Sequence, residues 1–335
     1  MATKDKSSIC SFFGKLGFRG LVTLNRVAPL FIDSLVTKRH ESDPLAPIFV
    51  IGPPRSGSTL LMQLLTDAFN VGYLTNQHCR WFGAPALADR ILNPLAAKQP
   101  SNYESRHGRT EQVSDPAECG AWWYRFFRRD PAYVTQEDVN PRKMRAFRHS
   151  LQALKEAMER PLVFKNLYAS LRIEPIAQVV PNALFVIVER DLVDNAQSIL
   201  NGRMEALGSY DPWWSVPPPN VAELKSLRPV QQAAEQVRSV HALITDDVER
   251  LGLTEQTFRI NYEAFCQDVH GTLQDLKQFA LKNNVTLSPR FEVPARFETR
   301  HDRKIPDAMY EELVNYVQNT AGLPIDKATG VTSGY

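Results

Sequence analysis

The sequence has few cysteines, and no two of them are close together along the chain. Cys10, Cys79, Cys119 and Cys266 are spread over 335 residues. They lack the paired spacing that zinc and redox motifs need, and they are too sparse for a secreted disulfide scaffold. A reducing compartment is the simpler interpretation, and we expect a cytoplasmic protein.

A long apolar run and an excess of one charge are also missing. Lys15, Arg19 and Arg26 interrupt the apolar N-terminal region before a signal-peptide core or a membrane span of about 18 residues can form. With 39 Lys+Arg against 37 Asp+Glu, the net charge is +2. Such a balance provides no global field for nucleic acid, so we expect no nucleic-acid partner. Any bound anion must be met by local basic residues.

Apolar residues nevertheless recur at helical spacing between Phe12 and Val36, with basic residues between them. A helix of this kind packs on the protein's own core or makes peripheral contact with a membrane surface, and both interpretations stay open. We assign residues 1–46 to an N-terminal helical extension of one domain that covers residues 1–335. A hydrophobic content of 43% excludes a largely disordered chain.

Short apolar runs alternate with helical patterns along the chain, which indicates strand, loop and helix units. Strands alternating with helices predict an α/β fold with a parallel sheet and helices on both faces. The predicted strand and helix pairs are Pro47–Ile51 with Thr59–Phe69, Leu162–Phe164 with Ser170–Val180, and Leu184–Val188 with Asp191–Leu207. A further helix is predicted over Val230–Leu251.

The long segment between the first two strands, residues 77–160, is predicted to be a helical cap insertion. Its helical patterns cover Ala117–Arg128 and Arg142–Arg160. Aromatic residues cluster in the first pattern and in a later Pro-rich stretch, where they form either a wall for a flat acceptor or part of the core. These residues are Trp122, Trp123, Tyr124, Phe126, Phe127, Trp213 and Trp214.

The segment after the first strand predicts an anion site of the P-loop type in a three-layer fold. Gly52-Pro-Pro-Arg-Ser-Gly57-Ser58-Thr59 leaves a strand and opens a helix, so backbone N–H groups and the helix N-terminus can surround a phosphate. A P-loop triphosphatase has Lys at position 58, and Ser58 therefore disfavours transfer of a γ-phosphoryl group. Arg55 provides a planar cation that suits a phosphate or sulfate oxygen.

A second candidate anion site follows the third strand. Arg190 leaves the carboxyl end of that strand, where ligands of open α/β sheets collect, and Ser198 lies two helical turns further on. Together they would bind a second phosphate through the guanidinium and the hydroxyl. Such an arginine alone is more often a surface ion-pair partner, but the phosphate loop favours the anion site.

At these residues the sequence resembles the sulfotransferases that use 3′-phosphoadenosine 5′-phosphosulfate (PAPS). Pro54–Leu61 looks like the family's 5′-phosphosulfate loop, and Val188–Ser198 looks like its 3′-phosphate motif. Leu162–Lys165 is similar to the family's strand with its lysine, and Arg259–Glu263 resembles its Tyr-Glu segment. The similarity spans about residues 47–283 and is greatest to the bacterial and tyrosylprotein branch.

The resemblance implies a PAPS-dependent sulfotransferase that needs no metal and forms no covalent enzyme intermediate, since positioning and charge stabilisation carry in-line transfer. Lys165 is the candidate for protonating or stabilising the bridging oxygen, or else an ordinary lysine at a strand end. Arg303 or Lys304 could close over the donor or carry solvated charge. The implied donor-binding residues are Arg55, Ser56, Gly57, Ser58 and Thr59 for the 5′-phosphosulfate, Arg190 and Ser198 for the 3′-phosphate, and Tyr262 near the adenine.

The general base is left open between two residues. A hydroxyl acceptor needs a base near neutral pH, usually a histidine or a carboxylate with a raised pKa. Glu118, followed by Cys119, matches part of a pattern in bacterial members of the family, and His78 lies where tyrosylprotein-like members carry a glutamate. Both also have a surface or capping interpretation.

The expected acceptor is a hydroxyl or amine of a small-molecule, sugar or lipid-like compound. One alternative is a P-loop kinase that uses Mg-ATP, for which Asp191 is the obvious candidate metal ligand. A second alternative is a protein that binds a nucleotide without catalysis, which would keep both phosphate motifs and lack a base.

Overall fold

The computed structural model describes residues 45–96, 98–105, 108–299 and 302–321. Of the predicted N-terminal extension, only Leu45 and Ala46 belong to these residues, so both interpretations of the segment between Phe12 and Val36 lie outside the described part. Among the described residues, no helix is long and apolar enough to cross a membrane.

The central feature is a four-stranded sheet in which every neighbouring pair is parallel. The strands are β1 (Ile48–Ile51), β2 (Val163–Lys165), β3 (Leu184–Glu189) and β4 (Thr257–Asn261). The order across the sheet is β2-β1-β3-β4. The predicted α/β class with a parallel sheet flanked by helices is therefore confirmed, and β4 is a strand that the sequence pattern did not indicate.

The register brings the carboxyl ends of the strands to one edge. Val50 pairs with Lys165 on one side of β1, and Ile51 pairs with Ile187 on the other. Burial of β1 on both faces explains why its sequence is continuously apolar rather than alternating. The loops that leave the four strands consequently start close together.

Helices connect and flank the strands. In the described part of the chain the longest helix is Pro229–Arg250, which packs mainly against Leu192–Leu207 and Asp307–Asn319. The helices are α1 (Ser58–Ala68), α2 (Asn76–Arg80), α3 (Pro85–Leu92), α4 (Gly120–Trp123), α5 (Pro141–Met158), α6 (Ile173–Val179), α7 (Leu192–Leu207), α8 (Val221–Leu224), α9 (Pro229–Arg250), α10 (Tyr262–Gln267), α11 (Val269–Lys282) and α12 (Asp307–Asn319). Short 3₁₀ helices cover Gln136–Asp138, Leu167–Leu171 and Thr254–Gln256.

The aromatic part of residues 77–160 differs from its prediction. The helix expected over Ala117–Arg128 is only the four-residue α4, because its aromatic side chains pack directly on the sheet. The ring of Trp122 stacks on Phe164 with centroids 5.6 Å apart, and Trp123 meets Phe49 edge-on at 6.0 Å.

Burial decides between the two interpretations of this aromatic cluster. Trp122, Trp123, Phe126 and Phe127 belong to the hydrophobic core, so they form no wall for an acceptor. Tyr124 is only half-buried, and it packs edge-on against another tyrosine at 6.0 Å. Core packing is therefore the correct interpretation for most of the cluster.

Candidate functional site

The loop that follows β1 needs glycine at two points. Gly52 has φ 150°, and a Cβ there would lie 2.5 Å from the carbonyl oxygen of Val188. Gly57 has φ 97°, and its Cβ would overlap the ring of Tyr262. Gly57 is also the N-cap of α1, whose first turn contains no acidic residue. The first N–H groups of α1 therefore create a positive potential at this end of the helix, which suits an anion.

Side chains from neighbouring elements hold this loop in place. The Ser170 hydroxyl accepts from the N–H of Gly52 at 3.0 Å and donates to its carbonyl at 3.1 Å. The Asn195 amide donates to the carbonyl of Pro54 at 2.5 Å. These bonds fix the backbone of the loop before any ligand binds, which lowers the entropic cost of binding a ligand.

Two arginines converge beside the loop. Arg55 Nε donates to the hydroxyl of Ser198 at 3.1 Å, and Arg190 Nη1 donates to the carbonyl of Arg55 at 3.4 Å. The Arg190 guanidinium also lies over the ring of Tyr262, 4.8 Å from its centroid. Burial and the charge of Arg190 lower the pKa of Arg55. Like charges held this close favour an anion between them.

A third cation reaches the same place from the C-terminal part of the chain. The backbone N–H of Lys304 donates to the side chain of Gln197 at 3.1 Å. Burial lowers the pKa of Lys304, and the charges of Arg190 and Arg55 lower it further. Three cations therefore influence one another at the carboxyl edge of the sheet.

Two buried donors at this edge have no hydrogen-bond partner within the described part of the chain. They are the hydroxyl of Ser56 and the Nε of Arg190. Buried polar groups are rarely left unpaired in folded proteins, and an anion is the partner that both can use. The loop and the arginines therefore fit a ligand that carries phosphate or sulfate groups.

The end of β2 forms the second half of the site. Lys165 is buried, with 5% of its surface exposed, and its Nζ pairs with Oε1 of Glu118, whose side chain is 31% exposed. Asn166, the next residue, donates to the Glu118 carbonyl at 3.4 Å. A Cβ on Gly108 would lie 3.3 Å from the Thr59 hydroxyl and 3.6 Å from Lys165 Nζ, so backbone covers this point closely.

One cavity of about 1220 Å³ joins the two halves. Seven of the eight predicted donor-binding residues line it, Ser56 being the exception, and so do Lys165 and Glu118. Several other lining residues carry no sequence signal of a site, because their approach to the cavity depends on the tertiary fold. These are Cys79, Tyr103, Arg109, Tyr168, Arg296 and Phe297. Trp214 and Lys304 also line the cavity.

His78, the other candidate base, does not line this cavity. Its side chain is fully buried and closes the capping box at the start of α2. Nδ1 lies 3.0 Å from the backbone nitrogen of Thr75, and Nε2 lies 3.3 Å from Oδ1 of Asp89. Both ring nitrogens therefore face the protein interior, which corresponds to the capping interpretation and leaves Glu118 as the candidate base.

The sequence profile described as the sulfotransferase family matches residues 47–280. No curated protein sequence matches the chain.

Solved structures give distant matches, each with 15% sequence identity. Sulfotransferase STF9 from Mycobacterium avium aligns over 87% of this chain and 74% of its own, with a TM-score of 0.48. Sulfotransferase STF1 from Mycobacterium tuberculosis H37Rv aligns over 82% and 77%, with a TM-score of 0.47. A sulfotransferase domain from the curacin biosynthetic pathway aligns over 86% and 96%, with a TM-score of 0.41.

Proposed function

This chain belongs to the sulfotransferase family, and we propose that it transfers a sulfuryl group from PAPS to a hydroxyl or amine of a small-molecule, sugar or lipid-like acceptor. The observation that carries the proposal is the convergence of Arg55 and Arg190 on a helix N-terminus where two buried donors lack partners among the described residues. PAPS has two separated anionic groups, which match this arrangement of cations.

In this proposal the loop and the arginines bind different parts of the donor. Residues 55–59 hold the 5′-phosphosulfate at the N-terminus of α1, and Arg190 with Ser198 holds the 3′-phosphate. The charge of Lys304 adds to the 3′-phosphate site, and Tyr262 lies against Gly57 near the adenine. PAPS, once bound, supplies the activated sulfuryl group.

The ion pair between Lys165 and Glu118 provides the chemistry of the transfer. Glu118 accepts the acceptor's proton as the acceptor oxygen or nitrogen bonds to sulfur and the bond from sulfur to the bridging oxygen breaks. Lys165 neutralises the charge that develops on that bridging oxygen, and 3′,5′-adenosine diphosphate leaves. Fixed positions and fixed charges suffice for such a transfer.

Two observations support this reaction over the alternatives. Asp191, the candidate metal ligand for a kinase, accepts the N–H of Asp194 at 2.9 Å as the N-cap of α7, and it is not among the residues that line the cavity. The half-buried pair of Lys165 with Glu118 is at the cavity wall, where a protein that only binds nucleotide has no need of it.

The proposal is tested by calorimetric titration of the full chain with 3′,5′-adenosine diphosphate in the absence of metal, and with Mg-ATP at the same salt concentration. The bisphosphate should bind more tightly than Mg-ATP, and Arg190→Ala should weaken it about 100-fold because a buried charged contact is lost. Arg228→Ala, at an exposed arginine that pairs with Glu312, is the matched control.

Glu118→Gln extends the same experiment to the chemistry. This variant should keep its affinity for the bisphosphate and lose transfer from radiolabelled PAPS, because Glu118 pairs with Lys165 and not with the anion-binding arginines. A preference for Mg-ATP, or an Arg190→Ala variant with unchanged affinity, contradicts the proposed donor.

A further inference from the structure

Two cysteines that are distant in sequence meet at the wall of the cavity. Cys79 lies near the end of α2 and Cys119 directly before α4, and both line the cavity. Both are free thiols, Cys79 half-buried and Cys119 buried, and Cys79 lies near enough to Cys119 to raise the pKa of the Cys119 thiol. Cys119 also directly follows Glu118 in the chain.

Backbone hydrogen bonds hold the two cysteine-bearing segments side by side. The N–H of Ala117 donates to the carbonyl of Leu74 at 2.8 Å, and that of Asn76 donates to Asp115 at 3.2 Å. Thr75 and Pro116 form an antiparallel bridge between these bonds. Beyond the bridge the two segments run in opposite directions, and the packing of α2 against α4 brings Cys79 and Cys119 together.

We propose that Cys79 and Cys119 are a redox-active dithiol that closes to a disulfide in the cavity wall beside Glu118. A low-molecular-weight disulfide is the oxidant. The thiolate of Cys79 attacks one sulfur of this disulfide, which gives a mixed disulfide and releases one small thiol. The thiolate of Cys119 then attacks the sulfur of Cys79 and releases the second small thiol. The two cysteines lose two electrons, and the oxidant is reduced to two thiols.

The environments of the two cysteines determine the order of attack. Cys79 is half-buried and faces a cavity that a small disulfide can enter. The neighbouring thiol of Cys79 and burial raise the pKa of Cys119, so Cys119 is mostly protonated until the mixed disulfide removes the Cys79 thiol, which is the larger of the two causes. Cys119 therefore resolves the mixed disulfide and does not start the reaction.

Closure of the disulfide would alter the acceptor side of the site, a consequence that rests on the proposed function. The covalent bond draws the sulfurs closer than any nonbonded contact, so Cys119 moves toward α2. Cys119 already has a left-handed backbone with φ 46°, which restricts how its chain can adjust. The movement is therefore passed to Glu118 and weakens its pairing with Lys165, while Arg55 and Arg190 keep their places.

The experiment treats the full chain with oxidised glutathione, then counts free thiols under denaturing conditions and maps disulfide-linked peptides by mass spectrometry. The Cys79–Cys119 link should form and disappear on reduction. Cys119→Ser should retain glutathione on Cys79, because the resolving thiol is gone, whereas Cys266→Ser should form the link as the wild-type does. Failure of the link to form in both the wild-type and Cys266→Ser overturns the inference.

The effect of the disulfide on the pairing of Glu118 with Lys165 is measured by trace acetylation of the reduced and oxidised protein with limiting acetic anhydride. Acetylation of Lys165 should rise several-fold on oxidation relative to Lys282, an exposed lysine that pairs with Glu255. A ratio that does not change overturns this coupling. Titration with 3′,5′-adenosine diphosphate separates the two proposals: a chain that binds it but forms no link contradicts only the dithiol, and a chain that forms the link but does not bind contradicts only the proposed donor.

Discussion

At the scale of single residues, the contact between Gly57 and Tyr262 shows how closely the site is assembled. The tyrosine ring occupies the space that a Cβ on residue 57 would need. The same ring carries the guanidinium of Arg190 on its face. Residue 57 therefore controls the position of a ring and, through it, the position of a cation.

Gly57→Ala should weaken binding of 3′,5′-adenosine diphosphate about tenfold, because the added methyl group displaces Tyr262 and with it Arg190. It should also cost about 1–2 kcal/mol of unfolding free energy for the left-handed backbone. Gly208→Ala is the matched control, since Gly208 has φ 74° and nothing within 4 Å of its Cβ position. Denaturant unfolding and calorimetric titration of both variants provide the comparison.

The control variant should lose the part of the stability that the left-handed backbone accounts for, without the clash with Tyr262, and it should keep its affinity. If both variants lost affinity equally, backbone strain alone would explain the result, and the contact with Tyr262 would have no part in binding.

The sequence identified the phosphate loop because its residues are consecutive and their spacing is set by backbone geometry. Arg55 and Gly57 could be named on that basis. His78 and Glu118 could not be separated, because the choice depends on which side chain faces the cavity. The ring of His78 closes a helix cap within its own segment, whereas the pairing of Glu118 with Lys165 joins segments 47 residues apart.

At the scale of secondary-structure elements, a buried ion network fastens the segment after α3 to the end of α1. Lys98 Nζ lies 2.9 Å from Oδ1 of Asp67, and neither side chain is exposed. The N–H of Ser101 donates to the other oxygen of Asp67 at 2.7 Å, and Asp115 lies 3.7 Å from Lys98. One lysine therefore balances two carboxylates that the fold has removed from water.

Lys98→Met should lower the free energy of unfolding by about 3–5 kcal/mol, because it leaves the buried carboxylate of Asp67 without its cation. Lys282→Met should have little effect, since Lys282 and Glu255 are both exposed to solvent. Chemical denaturation of the two variants measures this difference. Equal losses would mean that Asp67 is satisfied by Ser101 without the lysine.

Element prediction from the pattern succeeded where burial follows a simple period and failed where one side chain determines the backbone. The predicted strand Pro47–Ile51 is close to β1, and the predicted helix Asp191–Leu207 is close to α7. The helix predicted over Ala117–Arg128 is reduced to four residues by packing of Trp122 on the sheet. β4 was not indicated because Ile260 is the one buried residue of its five, so it lacks the continuous apolar run of a central strand.

At the scale of the whole molecule, the site joins four strand ends to the C-terminal helix. Leu313 and Tyr316 bury one face of α12 in a second hydrophobic cluster with α7 and α9. The Tyr316 hydroxyl donates to Glu235 at 2.9 Å. This docking holds Ile305 in the same cluster and places Lys304 near enough to the two arginines for their charges to lower its pKa. A cation more than 100 residues from Arg190 in sequence thus belongs to one electrostatic unit with it.

Lys304 should make binding of 3′,5′-adenosine diphosphate depend on pH in the alkaline range. Burial, Arg190 and Arg55 lower its pKa, so the free protein loses this charge below the ordinary lysine value of 10.5. A bound bisphosphate favours the charged lysine, and binding therefore takes up a proton as the pH approaches and passes the lowered pKa. Affinity should fall as the pH rises from about 7 to about 10, where the phosphates themselves no longer titrate.

Lys304→Arg and Lys304→Met separate this charge from the rest of the site. The arginine keeps its charge over the whole range, so its affinity should change little with pH. The methionine should bind more weakly at neutral pH and show the same flat profile. Calorimetry in two buffers of different ionisation enthalpy should detect proton uptake in the wild-type alone. An equally steep decline in Lys304→Met would assign the titration to another group and would exclude Lys304 from the anion site.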